Sequence, residues 1–279
     1  MSRFLRFPGG KAKVFTLSYD DANLGIIRLV DIMKKNGVKG TFNLNSGLYG
    51  CNCFGVQRDD QLTEEQLKAC LIGSGMEVAV HGYKHLNPNT LTGVELFREF
   101  AVDKENLEKS FGMVVRGAAY AFGGFNDRVV SVLDSIDIAY ARTVISTNSF
   151  DMPTDWLRLN PTCHHKSDKL KDLTDAFLNA KPNEWGGKKY PLMFYVWGHA
   201  NEFIENDNWE VIEQLCQNVG AADDVWQATN IEIYDYVKAY ENLHFSADGK
   251  TVLNNSCLDV YFYSDGEIKI AHKCGITKI

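Results

Sequence analysis

Val14-Phe-Thr-Leu-Ser-Tyr-Asp-Asp-Ala22 is a short apolar, β-rich run that ends in two adjacent carboxylates, Asp20 and Asp21. It reads as a buried strand, and the segment after it is helical. Asn23 suits an N-cap, and Ile26, Ile27, Val30 and Met33 recur at helical spacing until Asn36-Gly37 stops them. The alternation then repeats. Residues 39–45 read as the next strand, Thr63-Glu-Glu-Gln66 is a capping box opening a helix, and residues 76–80 read as a strand. A helical pattern over 91–110 precedes an apolar, strand-like stretch from Met113 to Phe122. Further helices are expected near 127–135, 168–178 and 207–218, strands near 138–141 and 192–197, and a last strand–helix pair running to Leu243. Repeated βα units predict an α/β fold with a parallel sheet, and their number suits a (β/α) barrel with helices outside.

After His244 the texture changes. Ser246-Ala-Asp-Gly249 and Ser264-Asp-Gly266 are turn signals between β-rich runs such as residues 258–263. Residues 1–243 are therefore expected to form the barrel and 244–279 a small antiparallel β extension packed on it.

Composition bounds the function classes. In 279 residues, 45% apolar and 23% charged is ordinary for a globular protein. A net charge of -7 with no basic block argues against nucleic acid or an anionic membrane as partner. No stretch approaches the roughly 20 apolar residues of a membrane-spanning helix. The opening Met-Ser-Arg-Phe-Leu-Arg-Phe-Pro holds no signal-peptide core, so a cytoplasmic protein is expected, or one whose leader has been removed. Seven cysteines, an odd number, read as reduced thiols, and Cys51-Asn-Cys53 is too isolated for a zinc site.

The reactive side chains share one position relative to the strands. Asp20 and Asp21 follow 14–19, His81 follows 76–80 with His85 four residues on, Gly123-Gly124 follow the stretch ending at Phe122, and His199 follows 192–197. In a parallel barrel all C-terminal strand ends open on one face, where active sites are built. Taken alone, Asp20-Asp21 would read as helix-capping carboxylates, His81 and His85 as unrelated surface or core histidines, and His199 as a satisfied strand-end residue. Together they read as one site. His81-Gly-Tyr-Lys-His85 puts two imidazoles on one face of a helical turn, close enough to share a metal. Glu is absent after His81, so the zinc-protease pattern fails. Two His and one Asp leave open coordination positions for water and substrate, as hydrolytic zinc sites and non-haem iron oxygenases both require.

These residues resemble the polysaccharide deacetylase family, the carbohydrate esterases with a NodB-like domain. The family reads Thr-Phe-Asp-Asp-Gly at its first motif, where this chain has Leu17-Ser-Tyr-Asp-Asp-Ala22. It reads His-(Ser/Thr)-x-x-His at its second, here His81-Gly-Tyr-Lys-His85. The resemblance runs from about residue 12 to residue 205. It implies a distorted barrel of the NodB type and a metal held by Asp21, His81 and His85, with zinc first and cobalt, nickel or manganese behind it. It also implies Asp20 as general base, and His199 of Trp197-Gly-His-Ala-Asn-Glu-Phe203 as general acid. Asp155-Trp156 resembles the fourth motif, which walls the acetyl pocket. The implied reaction removes N-acetyl or O-acetyl groups from a saccharide.

The third motif departs. The family reads Arg-Pro-Pro-Tyr-Gly; aligned on the glycine, Ala119-Tyr-Ala-Phe-Gly123 has Ala at the Arg and Phe122 at the Tyr. Tyr120, Phe122 and Gly123 are expected near the oxyanion, with a backbone N–H surviving as donor. Arg116 and Arg142 are both candidates to replace the arginine, and Gly82 stands where a Ser/Thr usually braces the metal loop. These departures favour a divergent branch and keep two other readings open: an amidohydrolase of a non-sugar amide, and a carbohydrate-binding protein without catalysis. Tyr83, Trp156, Trp185 and Trp197 could stack on sugar rings, although most aromatics in such a barrel are core. His164-His165 reads as structural or substrate-facing, not metal-binding.

Overall fold

The computed structural model describes residues 2–50, 60–182 and 190–279, and the backbone of residues 52, 53, 56 and 57. The side chains of Cys51, Cys53 and Trp185 lie outside the described residues. In chain order the elements are β1 (Phe4–Arg6), β2 (Lys13–Asp20), α1 (Gly25–Lys35), β3 (Gly40–Leu44), α2 (Glu64–Leu71), β4 (Glu77–Val80), α3 (Gly93–Phe111), β5 (Gly117–Ala119), α4 (Asp127–Ser135), β6 (Tyr140–Arg142) and β7 (Cys163–His164). They continue as α5 (Leu170–Asn179), β8 (Leu192–His199), α6 (Asn201–Glu205), α7 (Glu210–Gly220), β9 (Val225–Gln227) and α8 (Asn230–Glu241). The C-terminal strands are β10 (His244–Phe245), β11 (Thr251–Asn254), β12 (Val260–Ser264), β13 (Glu267–Ala271) and β14 (Gly275–Lys278).

Alternation along β2 makes the barrel. Phe15, Leu17 and Tyr19 point outward into the larger core, against Ile26, Leu29 and Met33 of α1. Val14 points inward, where it meets Met193, Tyr195, Tyr140 and the Ile233 and Tyr236 side chains of α8. The sheet is parallel and runs β6-β5-β4-β3-β2-β8-β7, with β9 beside the first residues of β2. Its two edges are joined by one irregular segment. Leu159 bridges Arg142 of β6, and four residues later Cys163 and His164 pair with Val196 and Trp197 of β8. The expected distorted (β/α) barrel is the observed fold.

Most elements fall where periodicity puts them, and the Thr63–Gln66 capping box is made in both directions. Three details differ. The expected strand over 113–122 pairs only at Gly117–Ala119, because Phe122 takes a left-handed φ of 55° and closes a tight turn. The expected helix 207–218 is observed as Glu210–Gly220, starting three residues late because Asp207 is left-handed at φ 45° just after the short helix Asn201–Glu205. Asn23 acts one residue outside the cap position of α1, its Oδ1 accepting the Gly25 N–H at 3.2 Å.

The C-terminal strands form two three-stranded antiparallel sheets, β10-β11-β14 and β1-β12-β13. Phe4 pairs with Tyr263, so the two ends of the chain share a sheet and the boundary drawn at residue 243 does not separate them. Val252, Val260 and Phe262 pack there on Ala239 and Leu243 at the end of α8. Cys70, Cys163, Cys216, Cys257 and Cys274 are free thiols. No helix among the described residues is long and apolar enough to cross a membrane.

Candidate active site

Asp20 and His199 are paired in register at the C-terminal ends of β2 and β8. Asp21 turns out of the strand with φ 66°, its N–H held by the Asn43 carbonyl at 3.0 Å. His81 follows β4, and its Nδ1 lies 3.0 Å from the Ala119 carbonyl at the end of β5. Since a carbonyl only accepts, that contact puts the ring proton on Nδ1 and leaves Nε2 as a lone pair. The Nε2 atom faces Asp20 Oδ2 at 3.7 Å and Asp21 Oδ1 at 3.9 Å. His85 Nε2 lies 3.7 Å from the same Asp21 oxygen. One ligand atom each from Asp21, His81 and His85 lies within 4.8 Å of the others, spacing that suits a shared cation.

The two histidines do not meet across a helical turn as their spacing suggested. Residues 81–85 form a loop in which Gly82 (φ 89°) and His85 (φ 52°) are both left-handed, and this folds the rings to 4.8 Å between centroids. Burial and the neighbouring His81 push His85 down to about 4, against the pull of Asp21 and Asp20, so it is a neutral donor at neutral pH.

Asp20 is almost fully buried, at 2% exposure. Burial alone would raise its pKa. The Arg142 guanidinium, then His81 and His199, outweigh it and hold the carboxyl well below the ordinary range. Arg142 is itself wholly buried, and its Nη2 donates to Asp20 Oδ2. Asn43 Nδ2 donates to the other oxygen at 2.8 Å. The choice between two arginines is thus settled by position: Arg142 ends β6 on the inner face, whereas Arg116 pairs with Asp235 at 2.9 Å. The Trp197 ring lies under the Arg142 guanidinium at 4.2 Å, fixing the fork from its other side.

His199 places Nε2 3.9 Å from Asp20 Oδ2 and Nδ1 3.7 Å from Glu202 Oε2. Burial would lower its pKa, but Glu202, Asp20 and Asp21 together raise it. Glu202 also meets His165 at 3.0 Å, His164 at 3.3 Å and the Lys166 ammonium at 2.8 Å. His164, His165 and Glu202 are close enough to hold a second cation. Two observations oppose it. His164 Nδ1 accepts the Lys166 N–H at 3.1 Å, so its proton sits on the Nε2 that faces Glu202, and Lys166 already neutralises the carboxylate. The cluster is a charge-paired support behind His199. Glu202, three residues after His199, went unread in the sequence, although that spacing was its signal.

The expected substrate residues divide. Phe122 is 67% exposed beside the His85 ring, 4.5 Å between centroids, and its N–H has no acceptor among the described residues. The Gly123 N–H is spent on the Tyr120 carbonyl at 2.9 Å. The Tyr120 side chain points away, its hydroxyl donating to the Leu157 carbonyl at 2.7 Å. Asp155 and Trp156 are not brought to the cluster. Asp155 caps a short turn and pairs with Arg158 at 2.7 Å, and Trp156 packs edge-on against Tyr234 in the inner core. The Trp197 ring, by contrast, lies at the cluster, between Arg142 and His164.

Residues 8–141 match the polysaccharide deacetylase family. A deacetylase from Streptococcus pyogenes, solved with acetate, is 21% identical over 51% of this chain and 61% of its own, with a TM-score of 0.44. A Mycobacterium smegmatis protein provisionally described as a polysaccharide deacetylase is 17% identical over 86% of this chain and 95% of its own, with a TM-score of 0.59. A mutant of a Bacillus anthracis pseudoenzyme of carbohydrate esterase family 4, with enzymatic activity restored, is 20% identical over 83% of this chain and 70% of its own, with a TM-score of 0.52. No curated protein matches the chain. At these identities the likeness concerns the fold.

Proposed function

We propose that this chain, whose residues 8–141 match the polysaccharide deacetylase family, is a metal-dependent hydrolase removing N-acetyl or O-acetyl groups from a saccharide. The observation that carries the reading is the tautomer of His81. With Nδ1 donating to Ala119, its Nε2 lone pair faces Asp21 and His85 on one side and a buried, charge-paired Asp20 on the other.

Asp21, His81 and His85 would hold the metal. When bound, a divalent ion, zinc first, supplies a Lewis acid that makes water a nucleophile near neutral pH. Asp20, kept ionised by Arg142, accepts the proton of the attacking water. The Phe122 N–H donates to the developing oxyanion, a contribution typically worth about 3 kcal/mol. His199, held protonated by Glu202 and Asp20, gives a proton to the departing amine. The products are acetate and a free amine, or an alcohol from an ester. Fold alone allows a pseudoenzyme, but a ligand set, a base with its arginine and a supported acid favour catalysis here.

The test is acetate release from N-acetylated and O-acetylated saccharides, with chelator and then with metal restored. Activity unaffected by complete metal removal would refute the reading.

A further inference from the structure

The loop that carries His81 and His85 rests on one helix. In α3, Glu99 and Asp103 stand one turn apart and are 4% and 0% exposed, an unusual depth for carboxylates. Asp103 accepts the Ser46 N–H on one oxygen at 2.7 Å and the His81 N–H on the other at 3.1 Å. Glu99 Oε1 accepts both the Lys84 N–H at 2.9 Å and the Leu86 N–H at 3.0 Å, and the Glu99 carbonyl accepts the Tyr83 N–H at 2.8 Å. From the other side Asn45 Nδ2 donates to the His81 and Gly82 carbonyls at 2.9 and 2.7 Å. The backbone on both sides of His85 is therefore tied to a side chain from outside the loop.

Gly82 and Glu99 fit each other. A Cβ on Gly82 would stand 2.8 Å from Glu99 Oε1, at a φ of 89° that side chains rarely adopt. The glycine thus opens the space the carboxylate fills, and the loop N–H groups are met from the helix instead of from a hydroxyl inside the loop.

We propose that Glu99 and Asp103 are positioning residues that hold the 81–86 loop in its metal-ready shape before any metal arrives, Glu99 acting by the reach of its carboxylate oxygen and not by its charge. The proposal rests on the metal reading above. It separates reach from charge through two variants. Glu99→Gln keeps the oxygen in place and loses the charge; Glu99→Asp keeps the charge and withdraws the oxygen by one methylene. Zinc affinity is measured by competition with a chromophoric chelator, and amide exchange of residues 83–86 is followed in the metal-free protein. Glu99→Gln should bind zinc close to wild type with the loop protected. Glu99→Asp should bind roughly 10–100-fold more weakly, the usual cost of losing a group that orients ligands, with the 84 and 86 amides exchanging faster. Asp103→Asn, losing one of two acceptors, should fall between them. Wild-type affinity in Glu99→Asp, or equal loss in both Glu99 variants, would overturn the proposal. If the wild type takes up no zinc, the metal reading fails, and the exchange comparison still decides the brace.

Discussion

Replacing Arg142 by Met should destabilise the metal-free protein by about 3–5 kcal/mol, because it strands a charge that has nowhere to go. Arg142 is fully buried and Asp20 is 2% exposed, so neither ion keeps appreciable water. Asn43 still donates to Asp20 after the substitution, but a neutral amide cannot replace a guanidinium. Asp20→Asn should cost a similar amount for the mirror-image reason, leaving Arg142 buried over Trp197 without its carboxylate. The double variant removes both charges and should lie within about 1 kcal/mol of wild type, since apolar or neutral replacement of a whole buried pair is often near neutral. The coupling energy is then several kcal/mol, and each single variant should melt on the order of 10 °C early. Urea unfolding followed by tryptophan fluorescence, in chelator near pH 7, closes the cycle. Single costs below about 1 kcal/mol with no coupling would refute the claim that these two ions define one buried pair.

Turnover and pH give three further outcomes. His199→Ala should slow amide cleavage far more than cleavage of an activated ester, whose leaving group needs no proton; equal losses would remove its role as acid. Glu202→Gln should move the alkaline limb of the pH–rate profile to lower pH, because His199 loses the carboxylate that raises its pKa; an unmoved limb assigns that shift elsewhere. Burial pushes Glu77 up from 4.5 to about 7, against hydrogen bonds from the Ile231 N–H, Tyr140 and Thr41. Its neutral form then stabilises the fold fully below about pH 4.5 and loses that contribution as pH rises through 7, a change of about 3 kcal/mol. Glu77→Gln mimics the neutral form, so its stability relative to wild type should grow between pH 5 and pH 8; a gap that ignores pH counts against the buried-acid assignment.

How much of this was legible depends on whether a residue's role follows from its place on a strand. Asp20, Asp21, His81 and His199 all end strands, so alternation alone put them on one rim. The same rule could have chosen Arg142 over Arg116, since one ends its strand and the other precedes Gly117 at the opposite end of the barrel. Asp155 and Trp156 lie in a segment with no periodicity, where a two-residue likeness carries no direction. The His81–His85 geometry was hidden for another reason. Left-handed residues reverse the loop, and spacing rules for helices do not apply to it. Glu99 and Asp103 carry no signal of their own within the helical pattern over 91–110, because a sequence does not tell which loop will lie across a helix.

The pairing of Phe4 with Tyr263 has a consequence for how the protein comes into being. β1 is synthesised 259 residues (263 − 4) before its partner position in β12. At about 5–20 residues per second, translation needs roughly 13–50 s to bridge that gap. β2 waits as well, for β8 to complete its inner flank. The nascent chain can dock its early βα units while the edge at β1 stays open, until β12 arrives to close it.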